Sequence, residues 1–178
     1  MTALRIAVIA LLAASLAACL DFGREEVPPL RLAPASLGRT LALQQRLTVT
    51  VRGRSQQLEV ALEADAEAVR LAMLFMGQAA ARLEWDGAQL NETRAPGWPE
   101  VVRGDRILGD MQLMYWPAPA IRAALPAGWS LADDGTRRTL SNDGRVVVEV
   151  RRLDANTIEL TNAADDYRLR VESRASAP

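Results

Sequence analysis

From about residue 40 onward, apolar residues recur at every second position, and this alternation constrains the fold more than any other feature of the 178-residue chain. A period of two places alternate side chains on opposite faces of a strand. Leu41, Leu43, Leu47, Val49 and Val51 share one face, with Gln45 as the exception. Leu58, Val60 and Leu62 repeat the pattern, with Glu59 and Glu63 opposite. Val69, Leu71, Met73 and Phe75 follow, then Ala79, Ala81, Leu83 and Trp85. Turn signals at Arg52-Gly53, Met76-Gly77 and Asp86-Gly87 separate these runs.

The middle of the chain breaks the pattern. Ala95 to Pro99 hold two prolines and a glycine and read as a loop. Asp105 to Trp116 carry Ile107, Leu108, Met111, Met114 and Tyr115 at helical spacing. Pro117 and Pro119 end that helix, and Ala120 to Leu125 form a short second helix before Pro126 and Gly128. Strands then resume: Trp129 to Leu131, Arg137 to Leu140, and Val146, Val148 and Val150 after the hairpin signal Asn142-Asp143-Gly144. Ile158 and Leu160 follow, and Tyr167, Leu169 and Val171 close the series. The expectation is a mainly β, α+β domain of nine or ten antiparallel strands with one helical insertion. So little helix cannot cover so long a sheet. The sheet must curl, leaving a concave face to be filled by side chains, by the helices or by a guest.

The first residues have the parts of an export signal. Arg5 is followed by an apolar run from Ile6 to Ala18, shorter than the ~20 residues of a membrane-spanning helix. Leu16-Ala17-Ala18-Cys19 then looks like a bacterial lipobox, which implies acylation of Cys19 and cleavage before it. Two or more acyl chains anchor a protein stably. Leu20 rather than an aspartate follows the cysteine, so under enterobacterial-type sorting the expected destination is the outer membrane, facing the periplasm. The division expected is a signal peptide over 1–18, a lipidated tether over 19–37 rich in proline (Pro28, Pro29, Pro34), and a folded domain over 38–178.

Composition excludes much chemistry. The chain has no histidine, no lysine and one cysteine. Serine–histidine and cysteine–histidine catalysis, imidazole metal sites, Schiff-base lysines and internal disulfides are therefore ruled out. A net charge of −1 gives no electrostatic reason to bind nucleic acid. No spacing places two acids on one cavity, so neither an enzyme nor a cofactor is expected.

Several stretches together resemble a known family. They are the lipobox, Gln45-Arg46-Leu47-Thr48-Val49, Leu83-Glu84-Trp85-Asp86-Gly87, Ile107-Leu108-Gly109-Asp110-Met111-Gln112-Leu113 with Trp116-Pro117, and Leu125-Pro126-Ala127-Gly128-Trp129. They resemble a lipoprotein family encoded beside aryl-polyene biosynthesis genes, which is similar in turn to the outer-membrane lipoprotein receptor LolB. The resemblance implies an unclosed antiparallel half-barrel lidded by helices. It implies an apolar cavity for acyl chains delivered by a periplasmic carrier protein, and an exposed loop that meets the membrane. Met76, in Leu74-Phe75-Met76-Gly77, stands at the matching place. This sequence has methionine there rather than leucine, and it lacks the tryptophan-rich character of a LolB cavity. An aryl-polyene lipid is therefore as well supported a cargo as a lipoprotein.

The candidate cavity residues are Val49, Val60, Leu62, Leu71, Met73, Leu83, Trp85, Leu108, Met111, Tyr115 and Trp116. The methionines and aromatic residues among them read first as ordinary core packing between sheet and helix. Met76 is either an exposed tip or tucked into the sheet edge. Asp133-Asp134 and Asp165-Asp166 suit a hard cation but read first as solvated turns, and Arg137-Arg138 and Arg151-Arg152 as solvated strand residues. Two functions compete: a lipid carrier or receptor, which predicts a dry apolar cavity, and an assembly lipoprotein binding a protein partner, which predicts a filled core and an exposed apolar patch.

Overall fold

The computed structural model describes residues 26–176, so Cys19 and the leader lie outside the described residues. The order is β1 (Leu41–Val51), β2 (Arg54–Ala64), β3 (Val69–Phe75), β4 (Gln78–Trp85), β5 (Leu90–Arg94), α1 (Gly104–Tyr115), α2 (Ala118–Ala124), β6 (Trp129–Asp133), β7 (Arg137–Asn142), β8 (Arg145–Arg152), β9 (Thr157–Asn162) and β10 (Tyr167–Ala175). The ten strands form one antiparallel sheet in the order β5-β4-β3-β2-β1-β10-β9-β8-β7-β6. Each neighbour in the order is also a neighbour in sequence, except that the last strand lies beside the first. That pairing runs from Leu43 opposite Ala175 to Val51 opposite Tyr167. The sheet is open, with β5 and β6 as its free edges.

Alternation produces the two faces as expected. In β3, Val69, Leu71 and Met73 are buried while Arg70 is exposed, and in β4 Ala81, Leu83 and Trp85 are buried while Arg82 and Glu84 are exposed. Two register shifts interrupt the pattern, between Met73 and Leu74 and between Leu140 and Ser141. Each inserts an extra residue that turns the following side chains to the other face. Ala79 and Val146, expected inside, are therefore exposed, and Val147 is buried in place of Val146.

Helix α1 crosses the buried face. Its contacts fix its direction: Arg106 meets Asp165 in the β9–β10 turn, and Tyr115 meets Gln45 and Ser173 farther along β1 and β10. Gly104 begins it tight against the sheet, where an added Cβ would lie 2.8 Å from the Glu92 carboxylate and 3.1 Å from Leu83. No residue of α1 caps its end with a basic side chain. The caps come from the sheet: Arg138 Nη1 donates to the carbonyls of Leu113 (2.6 Å) and Trp116 (2.9 Å), and Arg152 donates to that of Met114. Arg138, expected as a solvated strand residue, is thus buried, because it satisfies carbonyls the helix end leaves open.

The largest departure from expectation lies before β1. The segment expected as part of an extended tether is seated in the fold from Val27 onward. Val27, Leu30, Leu32 and Leu37 are buried in the core, and Pro34–Leu37 form a 3-10 turn. Proline content suggested a spacer, but the leucines between the prolines find the concave face that two short helices leave bare. Burying each contributes ~1.5–3 kcal/mol.

Candidate functional site

The site to test is the buried face of the sheet beneath α1. The structure brings nine of the eleven candidate residues together in one buried cluster: Val60, Leu62, Leu71, Met73, Leu83, Trp85, Leu108, Met111 and Trp116. Tyr115 is half-buried beside them. Val49 is half-buried farther along β1.

The space these residues face is taken by the strap, residues 27–37, which runs alongside α1. Leu30 N lies 3.7 Å from where a Cβ on Gly109 would stand. One turn later, the Gln112 side chain grips the Leu32 backbone at both ends: Leu32 N–H donates to Gln112 Oε1 and Gln112 Nε2 donates to the Leu32 carbonyl, each at 3.0 Å. Trp85 Nε1 donates to that same carbonyl at 2.8 Å. Farther on, Trp116 Nε1 donates to Ser36 Oγ at 3.0 Å and to the Ala33 carbonyl at 3.3 Å. An extended segment buried away from a sheet has unpaired peptide groups, each costly to leave unmade. Gln112 and the two indoles supply those partners. The Arg31 guanidinium lies 5.9 Å from the centre of the Trp85 ring.

Two cavities border the strap. One, of about 490 Å³, is an open polar cleft lined by Arg31, Asn91, Glu92, Arg94, Arg103 and Asp105 among others. Four of its charged residues are paired with one another or with Glu26: Arg94 with Glu92 at 2.7 Å, and Arg103 with Asp105 at 3.1 Å and Glu26 at 3.4 Å. The other, of about 100 Å³, lies between strap and helix against Leu30, Leu113 and Leu140. Drug-sized ligands occupy ~300–1,000 Å³. The smaller cavity has both apolar and charged walls and is too small for an acyl chain, and the larger is polar. The hollow expected from the sequence is filled by the protein's own strap.

The smaller cavity does gather acids that sequence spacing did not bring together: Glu26, Asp105 and Asp110 all border it. Glu26 and Asp105 are engaged by Arg103, which leaves Asp110 as the distinctive group. It is buried on α1, and Tyr167 Oη donates to it in a short hydrogen bond. Asn162 Nδ2 donates to Tyr167 Oη at 3.1 Å, and Asn162 Oδ1 accepts from the Asp165 N–H at 2.9 Å. Asp165 in turn meets Arg106 at 2.7 Å. Burial pushes the Asp110 carboxyl up to about 7, against the opposing pull of the Tyr167 hydroxyl and Arg106. Burial and the neighbouring carboxylate raise the Tyr167 hydroxyl above the ordinary phenol range.

Sequence reading had no signal for this network, nor for Gln45. That residue, an apparent interruption of the β1 stripe, is buried and donates to Tyr115 Oη (2.6 Å) and Ser173 Oγ (3.0 Å). A polar residue within an apolar stripe, and an Asp on the helix's inward side, were the available hints.

The acidic pairs are structural. One oxygen of Asp133, Oδ2, accepts from both Nη2 (2.6 Å) and Nε (3.0 Å) of Arg138, and Asp134 accepts from the backbone of Thr136 and Arg137 to shape its turn. No cluster of three metal-ligating side chains occurs among the described residues. Met76 sits at the tip of the β3–β4 hairpin with φ 51° and is 88% exposed, so the tip points outward. No helix among the described residues is long and apolar enough to cross a membrane.

No curated protein matches the chain significantly. A family model does match, over residues 42–175. It takes in the ten strands and both helices, and it starts after the strap. By that match over most of its length, the chain belongs to the family described as "Protein of unknown function (DUF3261)".

Proposed function

We propose that this protein is a lipoprotein, cleaved before Cys19, acylated there, and held at the outer membrane facing the periplasm. In this reading the open half-barrel handles a lipid or an acyl chain without catalysing a reaction and without a cofactor. The cargo class is a membrane lipid, a lipoprotein acyl chain or an aryl-polyene lipid, received from a periplasmic carrier protein. Met76 is the loop residue that meets the bilayer.

One observation carries the reading: the part of the apolar face that the helices leave bare is covered by an irregular segment of chain rather than by a further helix or strand. The strap's apolar side chains occupy the place where an acyl chain would lie. Its backbone is held at a few points, chiefly by Gln112 and Trp85. The strap is therefore a displaceable occupant, and ligand entry requires it to leave. In sequence the strap begins eight residues after Cys19, so the proposed anchor and the strap are neighbours along the chain.

The experiment has two parts. Mass spectrometry of the N-terminal peptide from membranes reads the expected diacylglyceryl thioether on Cys19, and Cys19→Ser removes it. Solvent extraction of the purified protein, with titration of a fluorescent fatty acid, reads cargo. Gln112→Ala loosens the strap and is expected to raise fatty-acid uptake severalfold over the unsubstituted protein. If neither form carries or takes up lipid, the lipid reading fails.

A second reading, an assembly lipoprotein that binds a periplasmic protein, is favoured by the filled core together with exposed apolar side chains such as Met76 and Val101. Lipid uptake by neither form, with a protein captured by crosslinking at those residues, would select it.

A further inference from the structure

Among the described residues, six large apolar side chains are notably exposed: Val51, Phe75, Met76, Val101, Val146 and Leu153. The antiparallel registers fix where each lies. Val51 precedes the β1–β2 turn, Phe75 and Met76 make the β3–β4 turn, and Val101 lies in the loop between β5 and α1. Val146 follows the β7–β8 turn. All of these connections emerge at the same end of the sheet, whereas Leu153, in the β8–β9 turn, is at the other end. Met76 and Val101 are almost fully exposed, at 88% and 89%.

The strap leaves the fold at that same end. Glu26, the first described residue, is paired with Arg103 at the start of α1, and α1 begins beside the β9–β10 turn. Seven residues, Leu20 to Glu26, separate Cys19 from this point. Extended, they span at most ~25 Å. An anchor on so short a lead holds this end of the sheet toward the bilayer.

We propose that this whole end of the sheet, not the Met76 hairpin alone, is a lipid-surface contact: the protein stands on its membrane with the strand axes steeply inclined and the Val101 loop and the β3–β4 hairpin in the headgroup boundary. Five exposed apolar residues at one end and one at the other is not the scatter expected of a soluble surface. Arg52 and Arg54 on the β1–β2 hairpin add cations suited to lipid phosphate. Glu100, Asp143 and Asp166 stand at the same end, so the contact is mainly apolar rather than a basic patch. The direction of approach rests on the proposed Cys19 anchor; the grouping of the apolar tips does not.

The test uses the protein purified from membranes and reconstituted in phosphatidylethanolamine–phosphatidylglycerol vesicles. Met76→Cys, Val101→Cys and Leu153→Cys each carry an environment-sensitive fluorophore, and quenching by nitroxide lipids is read at each position. All three positions are exposed, so unchanged circular dichroism is expected. Quenching at 76 and 101 but not at 153 is the expected result. Equal quenching at all three, or none at 76 and 101, overturns the proposal. The mass of the N-terminal peptide is measured in the same preparation. If Cys19 proves unacylated, the labelled chains carrying Cys19→Ser are mixed with the same vesicles. Quenching at 76 and 101 then upholds the contact while the anchor fails, and its absence overturns the contact as well.

Discussion

Asp110 carries a charge in a place that resists it. Its carboxyl titrates at about 7 because burial disfavours the ionised form, while an unfolded aspartate titrates near ~3.9. A folded value above the unfolded one means the unfolded chain loses its proton first as pH rises. Stability is therefore full below about 4 and falls between about 4 and 7, by at most ~1.4 kcal/mol per pH unit from this group. Asp65, Asp86, Asp133, Asp134 and Asp154 are shifted downward, and their contribution is lost only in acid, below their ordinary range. The interval from pH 5 to pH 7 thus belongs to Asp110. Urea denaturation across it should show falling stability, and Asp110→Asn, which still offers Tyr167 an acceptor, should flatten the slope. A wild-type curve flat between those pH values would exclude this assignment. Arg138 presents the opposite case, a buried cation with every partner in place. Arg138→Met keeps the bulk but removes both partners of Asp133 Oδ2 and the donor to two helix carbonyls. A loss of ~3–5 kcal/mol is expected in the same assay, with Asp133→Asn costing less. The partners were not legible beforehand: Arg138 shares the inward face of Leu140, two residues on, but nothing local names the helix end it meets there.

Elements were readable to the extent that they obey a period. Helix α1 was expected over Asp105 to Trp116 and occupies Gly104–Tyr115, because an apolar stripe and a following proline define it locally. Nine of the ten strands were visible for the same reason, their phase lost where bulges follow Met73 and Leu140, whereas β5, with its polar run Asn91-Glu92-Thr93-Arg94, was not visible. The strap was not readable, since it has neither period. Its leucines are spaced by prolines, and it acquires order only from Gln112, Trp85 and Trp116, more than fifty residues downstream. Leu30→Ala is expected to cost ~2–5 kcal/mol, as for a core leucine, because the side chain is buried in the core cluster. A true tether residue would cost nothing. The denaturation midpoint of Leu30→Ala against that of an exposed strap substitution, Arg31→Ala, distinguishes the two.

The molecule as a whole is a sheet with two free edges and one seam, where β10 meets β1. The mainly β class with a helical insertion followed from the alternation. The seam did not, because pairing between residues as distant as Leu43 and Ala175 leaves no local mark. Stability should be graded accordingly. Amide hydrogen exchange is expected to be slowest in β1, β2 and β10, which have neighbours on both sides, and fastest in β5 and β6, which each have one free edge. Uniform protection across the ten strands would contradict this.

The position of the strap also dictates an order of events. It is synthesised before any of the surfaces that hold it, and Leu32 waits for Gln112, eighty residues later. The last strand then waits for the first. Ring closure over such separations is slow, so a growing chain is left with several greasy leucines and no place to put them until nearly all of it has emerged. A protein wired this way suits release as a finished length rather than piecemeal folding, and a holding factor would find its grip on the very residues that later become the innermost.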